Sequence, residues 1–412
     1  MGRTARDRRD RPHPRPVERI ELNEEHVGWR LIAAGVLLVF GAAMLTYAFV
    51  QTVAPKEEWV TIEGGAGNAG EFTFLYRPGG GELSYTADRN GVTSLYAQLC
   101  QETFQLFHRR ETFEGVTNIC TINRCPNETL EVAPGLYEAF AAVERSGSRA
   151  LYLGPLYERY DGLFSCVDDS QLAAFDPRLS PEVAREYREY AAFANDPQAV
   201  RIELLGENRI RLFVSPEYLE YAEREGVESF IDFAWMRNAF IADYMARELN
   251  AQGYTRGVLA SYDGFIRCLD ESGESYSFSV YDQQRGTVCT AAVMRYQGPM
   301  SLVNLRDYPT GALDGTRFYR LETGEVRTPY VDTADGMCRN AVSALTGYAG
   351  NKGCGEILLE MMPVYIADEF RKDALEELTD KEIGFVYCEN EVIHASADKT
   401  AFSQLYEGYR IE

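Results

Sequence analysis

Chemistry in this 412-residue chain has few histidines to draw on: His13, His26, His108 and His394. A zinc site that relies on histidines, or a nucleophile activated by imidazole, needs at least one of them beside other ligands. His13 and His26 lie in an arginine- and proline-rich stretch. His108 precedes Arg109 and Arg110 at an expected helix end, where a cation complements the C-terminal dipole. His394 falls in the expected last hairpin, at a surface position. The nine cysteines are scattered and odd in number, with no C-x-x-C, so neither a zinc ribbon nor a thioredoxin-like couple is indicated. Cys120 and Cys125 are close in sequence, but spacing alone does not establish a disulfide, and most of the nine read as small buried apolar residues. G-x-S-x-G, H-E-x-x-H and the P-loop are absent. Two features remain. Gly350, Gly353 and Gly355 form a turn between an expected strand and helix, able to cradle an anion with backbone N–H groups or simply to supply positive φ. Glu356 and Glu360 share a helix face, enough for a weak cation site or a solvated acidic stripe.

The surroundings of these residues are acidic. Hydrophobic residues make up 45% and charged residues 25%, which is globular usage, and 63 acidic side chains face 41 basic ones for a formal charge of -22. Such a surface repels phosphate backbones, so nucleic-acid binding is not expected. The basic residues concentrate at the start: residues 1–30 carry eight arginines. Leu31–Val50 then has no charge, and at 1.5 Å rise it spans roughly 30 Å, the thickness of a bilayer's hydrocarbon. Its length exceeds a signal peptide's apolar core and no clear cleavage site follows, so an uncleaved anchor is expected over 31–53. The positive-inside rule keeps the tail 1–30 in the cytoplasm and places the rest outside the cell membrane, in a single-pass topology. Residues 54–70, with the run Gly64–Gly70, read as a flexible linker, and 71–412 as the ordered domain.

Within that domain, periodicity predicts a strand at Phe72–Tyr76 and a helix over Ser94–Phe107. Ser180-Pro181 and Ser215-Pro216 each begin a helix with a serine cap and proline in the first turn, and Gly226 stops the second. Between them Ala199–Leu205 and Arg209–Val214 form an expected hairpin. Ile231–Gln252 reads as the longest helix after the anchor, closed by Gly253. Strands follow at Gly257–Ala260, Phe265–Leu269, Tyr276–Tyr281, Ala291–Tyr296 and Ala341–Tyr348, then helix over Glu356–Met362 and 364–378, and a last hairpin Ile383–Cys388 and Glu391–Ala395. Helices early and mixed strands late, without regular alternation, indicate α+β.

Three segments in this order resemble the ApbE-type flavin transferases, which move FMN from FAD onto a threonine of a partner protein. Thr117–Asn123 (TNICTIN) is similar to the family's Ser-Glu-Leu-Ser-x-Leu-Asn. Ile231–Asp243 (IDFAWMRNAFIAD) is similar, without a gap, to Ile-Asp-Leu-Gly-Gly-Ile-Ala-Lys-Gly-Tyr-Ala-x-Asp, and Asp263–Arg267 stands where the family has Gly-Gly-Asn-Ile-Arg. Phe318–Gly324 (FYRLETG) stands at His-Ile-Ile-Asp-Pro-x-Thr-Gly, and the segment 341–362 at the metal-binding Ala-Asp-Ala-x-x-Thr. The resemblance covers about 71–412. It implies a flavin-transferase-like mixed sheet with flanking helices, FAD as ligand, Mg2+ as metal and a membrane redox protein as partner.

The departures fall on the chemistry. The family's Lys corresponds to Asn238, its first Gly of the pair to Asp263, its His to Arg317 or Arg320, and its metal Asp and Thr to Gly355 and Leu359. Cleaving a pyrophosphate needs a cation and a placed acid or base, and losing each costs on the order of 10²–10⁴ in rate. The resemblance leaves Asn123, Asn238, Asp243, Asp263, Gly264, Thr323 and Gly324 as pocket candidates. The expectation is a degenerate transferase that binds a flavin or nucleotide, or serves as a scaffold. The alternative is a divergent active enzyme using Arg317 or Arg320 for phosphate charge and Asp263, Glu356 or Glu360 for metal. An FMN acceptor is not indicated, because Asp263-Gly264, Asp314-Gly315 and Asp335-Gly336 lack the acceptor sequence around them.

Overall fold

Nine strands form one sheet whose spatial order repeats the order of the chain: Val60–Ile62, Phe72–Tyr76, Gly257–Ser261, Phe265–Cys268, Met300–Arg306, Ala344–Ala349, Gly384–Glu389, Val392–Ala395 and Arg410–Ile411. Neighbours are antiparallel except for the last pair, which is parallel, so the sheet is mixed. The computed structural model describes residues 58–79, 83–397 and 399–412. The predicted tail and the anchor 31–53 lie outside the described residues, and among those described no helix is long and apolar enough to cross a membrane.

The strands alternate as a half-buried sheet requires: Phe72, Phe74 and Tyr76 point into the core while Thr73 and Leu75 face out. Three helices cover the inner face. Tyr85–Leu106 and Cys354–Tyr365 flank Arg237–Ala251, whose Phe240, Ile241, Tyr244, Met245 and Leu249 are buried. A second antiparallel sheet, Ser275–Gln284, Thr287–Gln297 and Phe402–Leu405, closes a small separate core around Val280, Met294, Val386 and Ile393. A third pairs Thr129–Glu131 with the hairpin Val200–Gly206 and Arg209–Val214.

The two proline-led helices start as expected: Ser180 and Ser215 accept from Val183 and Tyr218 N–H, and Gly226 adopts the left-handed conformation. Several boundaries differ. The run 64–70 is no linker: Gly67–Gly70 is a 3-10 turn in which Asn68 is buried and donates to Thr103 Oγ1 at 3.1 Å, and the sheet already begins at Val60. The longest described helix is Tyr85–Leu106, because Ser84 caps it well before Ser94. The 231–252 segment becomes helical only at Ala234, since the Asp232 carboxylate accepts from Ala234 N–H at 2.8 Å and fixes a turn. Met300–Arg306, not anticipated, is a central strand, while the helix expected over 364–378 breaks after Tyr365 and resumes at Asp373. All nine cysteines are free thiols, Cys120 and Cys125 included.

Candidate functional site

The turn Tyr262–Gly264 joins strands Gly257–Ser261 and Phe265–Cys268, and it sets the site. Ser261 Oγ accepts from Phe265 N–H at 3.0 Å, and Arg306 Nη2 donates to the Tyr262 carbonyl at 3.1 Å. Gly264 has φ 106°, and a Cβ there would stand 2.6 Å from the Asn304 carbonyl. Its glycine thus answers a close approach by this chain's own backbone. Arg306 is in turn paired with buried Asp314 at 2.5 Å, which places the 3-10 turn Gly315–Arg317 over the same spot. Burial acts to raise the Asp314 pKa, but hydrogen bonds from Thr310, Arg306 and Gly311 outweigh it and hold the carboxyl below its ordinary value.

Four predicted site residues meet here. Arg317 Nη1 donates to Asp263 Oδ2, and Asn238 Nδ2 donates to the same oxygen at 3.1 Å. Gly264 supplies the turn. Burial works against the Arg317 cation, yet the Asp263 carboxylate holds its pKa above the ordinary value. Asp263 Oδ1 and Asn238 Oδ1 are buried and have no hydrogen-bond partner. These residues border a cavity of about 430 Å³, whose other walls include Trp235, Tyr262, Arg109, Asp161 and Asp232. Arg109 divides its guanidinium between Asp232 and Asp161, at 2.6 Å each. Burial raises the Asp161 pKa against the pull of Arg109. His108 also borders this cavity, and its Nδ1 accepts from the N–H groups of Arg110 and Glu111 at 3.3 and 3.0 Å, capping the turn that follows the helix.

Asn123 stands at an adjoining cavity of about 510 Å³ that shares Arg109 and Arg110 with the first. Its amide clamps a loop: Oδ1 accepts from Phe230 and Ile231 N–H at 2.9 and 3.0 Å, and Nδ2 donates to the Ile231 carbonyl at 2.9 Å. That makes it a positioning residue for the segment entering the site.

Asp243 belongs to another cluster. Its oxygens accept from Cys354 and Gly355 N–H at 2.7 and 2.8 Å and approach Arg267 at 3.2 Å. Burial raises its pKa, opposed by Arg267 and the two N–H groups. The glycine turn therefore does cradle an anion, and the anion is the chain's own. None of Gly350, Gly353 and Gly355 has positive φ; the last two are glycine because a Cβ would stand 2.4 Å from Asp243 and 2.7 Å from Phe240.

The metal positions do not fit a divalent ion. Gly355 has no ligand side chain, and Leu359 is buried among apolar groups. Glu356 and Glu360 are each paired with a lysine, Lys352 and Lys381, at 2.6 Å. Among the described residues no group of three His, Cys, Asp or Glu side chains could hold a metal. Arg320, Thr323 and Gly324 lie on the exposed hairpin Tyr319–Arg327, where Arg320 donates to the Gly324 carbonyl at 3.2 Å; they border neither cavity. Sequence reasoning missed Arg109, Asp161, Asp232 and Trp235. Only Asp232 and Trp235 left a signal, by falling inside the resembling segment 231–243.

Against solved structures, the chain as a whole finds counterparts of similar fold. The ApbE protein of Thermotoga maritima superposes with a TM-score of 0.54 at 11% identity, over 80% of this chain and 94% of that one. A variant of the flavin transferase ApbE of Vibrio cholerae gives 0.52 at 15% identity, over 85% of this chain and 97% of that one. The fold is that of the ApbE proteins. No protein-family model matches the sequence, and no curated protein matches it. Over this ApbE-like fold, the Asn238–Asp263–Arg317 cluster and the Asp243 cap are the two polar clusters to which the resemblance led.

Proposed function

We propose that this chain is a membrane-anchored, extracytoplasmic module that binds a flavin or related nucleotide on a flavin-transferase fold and no longer transfers FMN. One observation carries the reading: the resembling catalytic positions offer neither a proton acceptor in place of the histidine nor a metal ligand. Arg317, which with Arg320 stands at the position of the histidine, is held by Asp263 and stays protonated, so it is no proton acceptor. Gly355 and Leu359 offer no metal ligand, and the N–H groups beside them are filled by Asp243. The fold is shared with the flavin transferases, and its cavities would receive FAD. The uncharged stretch Leu31–Val50 behind an arginine-rich tail supports the anchor, and a membrane redox protein is the partner in keeping with that placement.

Titration of the full-length chain in detergent with FAD, followed by flavin fluorescence, tests binding. Incubation with FAD, Mg2+ and an acceptor protein tests transfer. Saturable FAD binding without covalent, UV-fluorescent FMN on the acceptor is the expected result. Covalent labelling would replace this reading with that of a divergent transferase.

A further inference from the structure

The cavity beside Arg317 carries two buried acceptors that nothing in the fold satisfies. Asp263 and Asn238 are 6% and 2% exposed, and each keeps one side-chain oxygen, Oδ1, without a partner. Their other polar atoms are engaged: Asp263 Oδ2 receives Arg317 and Asn238 Nδ2, and that same contact uses the donor end of the Asn238 amide. Both side chains border the cavity. A carboxylate only accepts, so Asp263 Oδ1 can be met only by a donor. An unmet buried acceptor loses the free energy of a hydrogen bond, which a ligand donor at this wall would restore.

We infer that Asp263 and Asn238 form a subsite for hydrogen-bond donors of a bound ligand, the vicinal diol of a ribose or the single N3–H of a flavin's ureide edge. The inference rests on the binding function proposed above and specifies which part of the ligand enters which part of the cavity. Trp235 and Tyr262 in the same walls give a planar ring or sugar an apolar surface to lie against.

Ligand pairs differing only in their donors test it on the unaltered full-length chain in detergent, by calorimetric titration. Riboflavin and N3-methylriboflavin differ at the ureide edge; adenosine and 2′,3′-dideoxyadenosine differ in the diol. One pair should separate by about tenfold or more in affinity, and Asn238→Leu should erase most of that separation while circular dichroism stays unchanged. Discrimination within the flavin pair identifies the ring edge, and within the adenosine pair the ribose. Should riboflavin or FAD bind while neither pair is discriminated, the subsite is wrong and the flavin-binding function stands. Discrimination confined to adenosine, with no flavin bound, keeps the subsite and removes the flavin. Binding by none of the probes overturns both. Because the ligand pairs are compared on the unaltered chain, a misfolded Asn238→Leu leaves the decision intact.

Discussion

One helix, Arg237–Ala251, carries two polar clusters with opposite outcomes. At its first turn Asn238 joins Asp263 and Arg317 beside a cavity, and two oxygens are left unmet. Further along, Asp243 borders another cavity, of about 370 Å³, but both its oxygens accept from the N-terminus of the neighbouring helix and neither is left unmet. Both clusters sit where the sequence suggested flavin chemistry. The difference lies in whether the chain supplies its own counter-group. A satisfied cluster contributes to stability and has nothing to give a ligand, whereas an unsatisfied one is costly until a ligand completes it.

The largest break to this comparison is Arg317→Ala, which leaves the Asp263 carboxylate buried with only the Asn238 amide. It should destabilise by about 3 kcal/mol in urea denaturation, and Arg317→Met combined with Asp263→Asn should lose clearly less, since removing both charges avoids the uncompensated one. If the single and the double change cost the same, the ion pair is not what holds the turn. Gly264→Ala comes next, at about 2–3 kcal/mol, because an alanine must take φ 106° and meet the Asn304 carbonyl.

Asp243→Ala removes the closed cluster and should cost about 2 kcal/mol through the lost cap, without weakening FAD binding. Its pH dependence has a defined sign. The folded state holds the Asp243 proton above the ordinary value of 3.8. Between that value and the raised one the native state binds more protons than the unfolded chain, so stability falls as pH rises through this window. Asp243→Ala should flatten that fall; a steeper one would contradict the burial that raises the group. The smallest effects belong to Glu356→Gln and Glu360→Gln, which break partly exposed lysine pairs and should each shift stability by about 0.5 kcal/mol or less. A Mg2+-dependent rise in melting temperature that either substitution abolished would restore them as metal ligands.

Much of the local architecture was legible. Ser180-Pro181, Ser215-Pro216 and Gly226 act through neighbours two to four residues away, and the last hairpin turns at Asn390 and Glu391, both with positive φ. Met300–Arg306 escaped notice because a central strand buried on both faces shows little alternation: five of its seven residues are buried. The site was half legible. The resemblance led to Asn238, Asp263, Gly264 and Arg317, which meet, but also to Arg320, Thr323 and Gly324, which the hairpin Tyr319–Arg327 carries to the surface. Arg109 and Asp161 could not be found from spacing, as they touch across 52 residues.

By itself the sequence determined the acidic balance, the scarcity of histidine and the helix caps, since each depends on composition or on residues adjacent along the chain. Which polar groups satisfy one another was decided only by the tertiary structure. Asp263 meets Arg317 across 54 positions and Asp243 meets Cys354 across 111, contacts set by the register of an antiparallel sheet and by the helices lying on it. A carboxylate's partner is a matter of distance in space, and no local pattern carries that distance.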